Sequence, residues 1–135
     1  MNKQTEANAL TLILFLPFAF CLFTFAFAHA LAAQEEEEID IRGKITNIRR
    51  ADRDVDDNLL GAILIEGVKE ADTGFDKASV RVTKETRIFD ERETGRKQVS
   101  FDSLKAGQKV SARFVGPVME SYPVQATAGE IIILN

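Results

Sequence analysis

Tryptophan is absent from this 135-residue chain, and cysteine and histidine occur once each, as Cys21 and His29. Both lie in residues 1–32, which also hold six of the ten phenylalanines, so the rest of the chain carries neither thiol nor imidazole. That rules out, beyond residue 32, a Ser-His-Asp or Cys-His nucleophile, a thiolate or imidazole metal site and a disulfide. A surplus of positive charge is lacking as well. Against 17 Lys+Arg stand 21 Asp+Glu, a net charge of -4, and the acidic excess is the run Glu35, Glu36, Glu37, Glu38. Nucleic-acid binding draws its affinity from a basic excess that neutralises phosphates, so nucleic acid is not an expected partner.

What the chain does have begins at its N-terminus. Residues 7–28 contain no charged side chain, and residues 10–27 are apolar enough to enter a bilayer. Lys3 supplies a positive start, and Ala28-His29-Ala30 and Ala30-Leu31-Ala32 supply two A-x-A cleavage sites. Residues 1–32 are therefore expected to form a signal helix that is removed on export, or an uncleaved membrane anchor. Cleavage gives a mature chain starting at Leu31 or Ala33 without lipid, because Cys21 sits inside the apolar run, preceded by Phe18-Ala19-Phe20. The expected location is periplasmic, cell-envelope or extracellular, with membrane contact only through an uncleaved N-terminal segment. Residues 33–38 form an acidic tether, since a block of like charge repels itself and stays solvated.

From residue 39 onward the periodicity is that of strands. Ile39, Ile41, Gly43 and Ile45 alternate with polar residues, and Ile48 then breaks the parity, which marks a bulge. Residues 60–68 form a more continuously apolar second strand flanked by Gly61 and Gly67. Residues 78–84 alternate again, with Val80 and Val82 on one face that Thr86 and Ile88 continue. A polar loop over 90–98 leads to Ser100, which can cap a short helix bearing Phe101 and Leu104 on one side, with Gly107 as its left-handed terminator. Val110, Ala112 and Phe114 mark a fourth strand, and residues 126–134 a fifth. The expected fold is thus all-β: one domain over 39–135, a small five-stranded OB-like Greek-key barrel with a short helix between strands three and four. That helix is to plug one barrel end.

Five segments carry a resemblance. They are Gly43-Lys44-Ile45, Ile63-Leu64-Ile65-Glu66-Gly67, Val82-Thr83-Lys84-Glu85-Thr86-Arg87-Ile88, the run from Ser100-Phe101 to Lys109-Val110, and Gly116-Pro117-Val118-Met119-Glu120-Ser121-Tyr122-Pro123-Val124-Gln125-Ala126. Together they resemble the YobA-like family, short exported or lipid-anchored bacterial domains of unassigned function. The resemblance spans nearly all of 39–135, and its most specific part is Glu120-Ser121-Tyr122-Pro123-Val124-Gln125-Ala126. It implies a bacterial source and a small β-barrel, and it brings no catalytic residue. A lipid-attachment cysteine just after the signal is frequent in that family, and Cys21 does not occupy that position.

Two loops stand out chemically. Asp52, Asp54 and Asp56 have the i, i+2, i+4 spacing of the first three ligands of a calcium loop. The remainder of that motif is missing, because Asp57 stands where glycine is required and Ile63 where a bidentate glutamate is required. The second loop presents Met119, Glu120, Ser121, Tyr122 and Gln125 between Pro117 and Pro123. There Tyr122 either folds back over the barrel end with its hydroxyl tied to backbone, or it recognises a ligand. In an OB-fold the loops joining strands one to two and four to five frame the binding face, which would place both loops on one rim. The second and third strands contain no aromatic residue, so the stacking platform of a single-strand nucleic-acid binder is missing. A carboxylate pair, Asp54 or Asp56 with Glu120, is the only catalytic class the composition leaves open, and no pocket marks it. The expected function is a non-enzymatic binding module without cofactor, taking a protein, peptide or envelope component at residues 49–60 and 119–125. The alternative is a Ca²⁺-dependent or carboxylate-based site at the same rim.

Overall fold

The computed structural model describes residues 38–135. The expected signal segment and all but the last residue of the acidic tether lie outside the described residues.

The first strand, β1, is Ile41–Arg50, and Ile41 and Ile45 point into the core. Its register with β2, Leu59–Glu66, shifts between Ile45 and Asn47. That bulge at Thr46 is the parity break, and it turns Ile48 back towards the core. β3, Lys77–Thr83, pairs antiparallel with β2 and buries Ala78, Val80 and Val82. A turn then interrupts the chain where the sequence suggests one continuous strand. Thr86 Oγ1 accepts the Thr83 N–H at 2.9 Å and donates to the Ala128 carbonyl at 2.8 Å, which pins the turn to the neighbouring strand. Ile88 therefore lies on a separate short strand, β4, Arg87–Asp90. The polar loop folds as a hairpin from β4 into β5, Lys97–Gln98, with Arg92 on Asp90 and Arg96 on Glu91. In place of a helix there is a single 3-10 turn, Phe101–Ser103, and the Ser100 side chain makes no capping bond to it. Gly107 does sit at positive φ, +90°, the backbone that glycine adopts without cost. β6 is Lys109–Met119 and β7 is Val124–Ile133.

One edge of β7 runs antiparallel to β6. Its other edge runs parallel first to β3, over Val124 to Thr127, and then to β4, over Glu130 to Ile133. Because β1 pairs with both β2 and β6, the pairings β1–β2–β3–β7–β6–β1 make a closed circuit. The β4–β5 hairpin extends the same sheet sideways, so seven strands, not five, form a sheet that is not a clean barrel. Ile41, Ile45, Ile63, Ile65, Val80, Val82, Val110, Ile131 and Ile133 are fully buried inside it. Burying each stabilises the fold by about 1.5–3 kcal/mol relative to exposure. Phe101 and Leu104, both buried, close one end of this core as the sequence suggests. Among the described residues no helix is long and apolar enough to cross a membrane.

Candidate functional site

Met119 pairs with Gln125 at the base of the β6–β7 connection. Beyond that pair the turn is tied by its own polar groups. The Ser121 N–H donates to the Met119 carbonyl at 2.9 Å, and Ser121 Oγ donates to the Pro123 carbonyl at 2.8 Å. The Tyr122–Pro123 bond is cis. The Tyr122 ring projects outward and is 74% exposed, and Met119 is 61% exposed. This corrects the folded-back alternative. The hydroxyl finds its partner at the surface, on Asp76 Oδ2 at 3.3 Å, and Lys77 Nζ stands 5.9 Å from the ring centroid. Glu120 and Gln125 are exposed beside it.

The Asp-rich loop closes on itself differently. Asp52 Oδ1 accepts the Asp54 N–H at 3.2 Å, and Asp56 Oδ1 accepts the Asn58 N–H at 2.9 Å. Asp56 lies 3.8 Å from Arg81 and Asp57 lies 3.0 Å from Lys84. The carboxylates of Asp52 and Asp56 are thus engaged in turns, with Asp56 also within ion-pair reach of Arg81, and among the described residues no three acidic side chains converge as a cation site. Part of the calcium-loop spacing arises because Asp52 and Asp56 each accept the N–H two residues on, the usual role of aspartate in a turn.

The expected common rim is also corrected by the register. Leu59 pairs with Thr83 at the Asp-rich end of β2, whereas Glu66 pairs with Lys77 beside Tyr122. Seven residues of strand, about 20 Å, separate the two loops. They flank one face from opposite ends, and no carboxylate pair of Asp54 or Asp56 with Glu120 can form across that distance.

The face between them is the outer surface of β1–β2–β3. Cross-strand pairing arranges it in rows: Lys44, Glu66 and Lys77; then Asn47, Leu64 and Ser79; then Arg49, Ala62 and Arg81. Buried Ile63, Ile65, Ala78, Val80 and Val82 alternate with the β2 and β3 members, which therefore face outward, and Asn47 and Arg49 share that face through their pairing with Leu64 and Ala62. Ser79 pairs onward to Gln125, which joins the second row to the Tyr122 turn. A depression of about 250 Å³ lies among Asn47, Arg49, Ala62, Leu64, Ser79 and Pro123. Glu66 is ion-paired to Lys77, and that contact holds the Glu66 carboxyl below, and the Lys77 ammonium above, their ordinary values.

A larger cleft of about 870 Å³ lies on another wall, over β6, β7 and the β3–β4 turn. Glu130 lies in it with its side chain 4% exposed, between Arg113 at 2.9 Å and Arg87 at 3.3 Å. Sequence reading missed this arrangement, since Glu130 precedes the apolar run Ile131-Ile132-Ile133 and carries no motif. Glu130 pairs across the sheet with Arg113 on β6 and with Arg87 on β4, which sets it between its two arginines. The outer-face rows were hidden for a similar reason, because alternation is visible in sequence but the pairing of one strand with another is not.

Fold and surface together define a small all-β domain whose distinctive chemistry is displayed on the outside of its sheet. The chain belongs to the DUF3221 family, described as a protein of unknown function, whose profile matches residues 63–135. That span runs from the middle of β2 through β7. No curated protein and no solved structure was found to match.

Proposed function

We propose that the protein is an exported, non-enzymatic OB-like binding module of the YobA-like kind. Its ligand, a protein, peptide or cell-envelope component, docks on the outer face of β1–β2–β3 against the turn 119–125. The single observation that carries this reading is the exposure of Tyr122 and Met119 on a hydrogen-bonded turn at the edge of that face. A large exposed aromatic held by a rigid scaffold costs little entropy to immobilise and is a frequent anchor of recognition. The OB-like description is supported by the closed circuit and by the parallel β3–β7 pairing, with the β4–β5 hairpin as an addition to the five-strand order. Export is supported by the apolar run 10–27 and its two A-x-A sites.

The test is a titration of the isotope-labelled chain with solubilised cell-envelope fractions, followed by amide chemical shifts. The expected result is a set of shifts confined to 119–125 and the outer face of β1–β2–β3, lost in Tyr122→Ala while the remaining spectrum is unchanged. Shifts confined to the Glu130 cleft, or none at all, would overturn the reading.

A further inference from the structure

We infer that the outer face of β1–β2–β3 binds a linear polyanion bearing phosphate groups along its backbone, gripped between Arg49 and Arg81 across Ala62. This rests on the binding-module reading above and names its ligand class. The argument starts from a segregation of charge. The chain as a whole carries a net charge of -4. On the three outward rows, however, Lys44, Lys77, Arg49 and Arg81 stand with one acid, Glu66, which is paired to Lys77, while Asp56, 3.8 Å from Arg81, and Asp76, near Lys77, lie at the margins of the rows. A cationic excess on these rows, on a chain of opposite net charge, is complementary to an anionic partner.

The geometry narrows the partner further. Arg49 and Arg81 stand on strands separated only by β2, about 10 Å apart at the backbone, and the residue between them is alanine. Nothing bulky divides the two guanidinium groups, and the depression beside them has Asn47 and Ser79 as additional hydrogen-bonding groups. Asp56 approaches Arg81 only to 3.8 Å, beyond a hydrogen bond. Guanidinium forks match phosphate oxygens two at a time, which makes such a pair suited to successive anionic groups on one chain. No aromatic side chain lies on β2 or β3, so the rows themselves offer bases or uncharged sugar rings no stacking surface, and the exposed ring of Tyr122 stands only at the edge of the face. Charge along a backbone is what remains to be read. Both edges of β2 are occupied by β1 and β3, which excludes strand addition by a peptide at this face.

Long-chain inorganic polyphosphate, which has neither bases nor sugars, is the probe. Calorimetric titration of the full chain should show binding that weakens as NaCl rises. Arg49→Ala and Arg81→Ala should each lower affinity about tenfold or more, and the double variant should abolish binding. Lys105→Ala, away from the face, should bind as the parent does, and unchanged urea midpoints would establish that every variant is folded. Absence of polyphosphate binding, full retention by Arg49→Ala and Arg81→Ala, or equal loss in Lys105→Ala would each overturn the inference. Tighter binding of poly-glutamate or single-stranded DNA than of polyphosphate would overturn it in favour of those classes. If envelope fractions perturb the face while polyphosphate does not bind, the polyanion inference falls and the binding-module reading stands. If polyphosphate binds through the two arginines while envelope fractions leave the face unperturbed, the inference stands and the choice of an envelope ligand falls.

Discussion

Phe101 lies directly over Gly61, so that a Cβ added at Gly61 would stand 2.7 Å from the ring Cζ and would also collide with the Arg49 carbonyl oxygen. Glycine in the middle of β2 thus makes room for the side chain that closes the core. Arg50 stands over the ring, 5.6 Å from its centroid, and is ion-paired to Asp102. Gly61→Ala should lower stability by about 1–3 kcal/mol, because the Arg49 carbonyl is backbone and cannot swing aside. A urea midpoint equal to the parent's would refute this fit.

Leu104 tests the same closure from below. It is buried and packs in the main core cluster although it follows only a 3-10 turn. Leu104→Ala should cost about 2–5 kcal/mol in urea or thermal unfolding. A smaller loss than about 0.5 kcal/mol would place the turn outside the folding unit.

Tyr122 and Glu120 should behave in the opposite way. Tyr122→Phe gives up a long surface hydrogen bond to Asp76, and Tyr122→Ala gives up an exposed ring, so each should change stability by no more than about 0.5 kcal/mol. Glu120→Gln should be equally silent. Thermal melts of the three variants check this, and a substantial loss in Tyr122→Phe would restore a structural clamp.

Acid should weaken the β4–β5 hairpin. The side-chain and backbone bonds from Arg92 hold the Asp90 carboxyl at about 2. A carboxyl depressed in the folded state stabilises the fold above its unfolded value, near 3.9, and that contribution fades as pH falls from about 4 towards 2. Asp90→Asn should therefore flatten the pH dependence of unfolding in that window, and the difference from the parent should vanish only below pH 2. An identical pH profile in variant and parent would contradict it.

Calcium should leave the protein indifferent. Asp52 and Asp56 accept backbone N–H groups and do not converge with Asp54. Millimolar Ca²⁺ should give no calorimetric heat and no shift in melting temperature. A stabilisation that disappears in Asp54→Asn would show that the loop rearranges around the ion.

Local pattern made much of this molecule legible in advance. The alternation of Ile41 and Ile45, the parity break at Ile48, the buried faces of β2 and β3 and the plug of Phe101 and Leu104 all follow from side-chain periodicity. What failed was of two kinds. Thr83 and Thr86 stop a strand through side-chain hydrogen bonds that compete with the ladder, a choice made only when Ala128 is within reach. The placement of the two loops depended on which end of β2 each one meets, and that is set by register with distant strands. Asp52, Asp54 and Asp56 misled for a simpler reason, since metal loops and tight turns choose aspartate alike.

β7 is paired on one edge with β6 and on the other with β3 and then β4. Until residues 124–133 are available, three strands keep open edges and the circuit has no closing member. A ribosome delivers those residues after every strand they join, so the cooperative step of folding waits for β7. Partnerships between residues so far apart in sequence also slow the search for the native state. Over that interval the exposed ladders of β3, β4 and β6 are templates for the wrong neighbour, and a chain cut at residue 123 should self-associate.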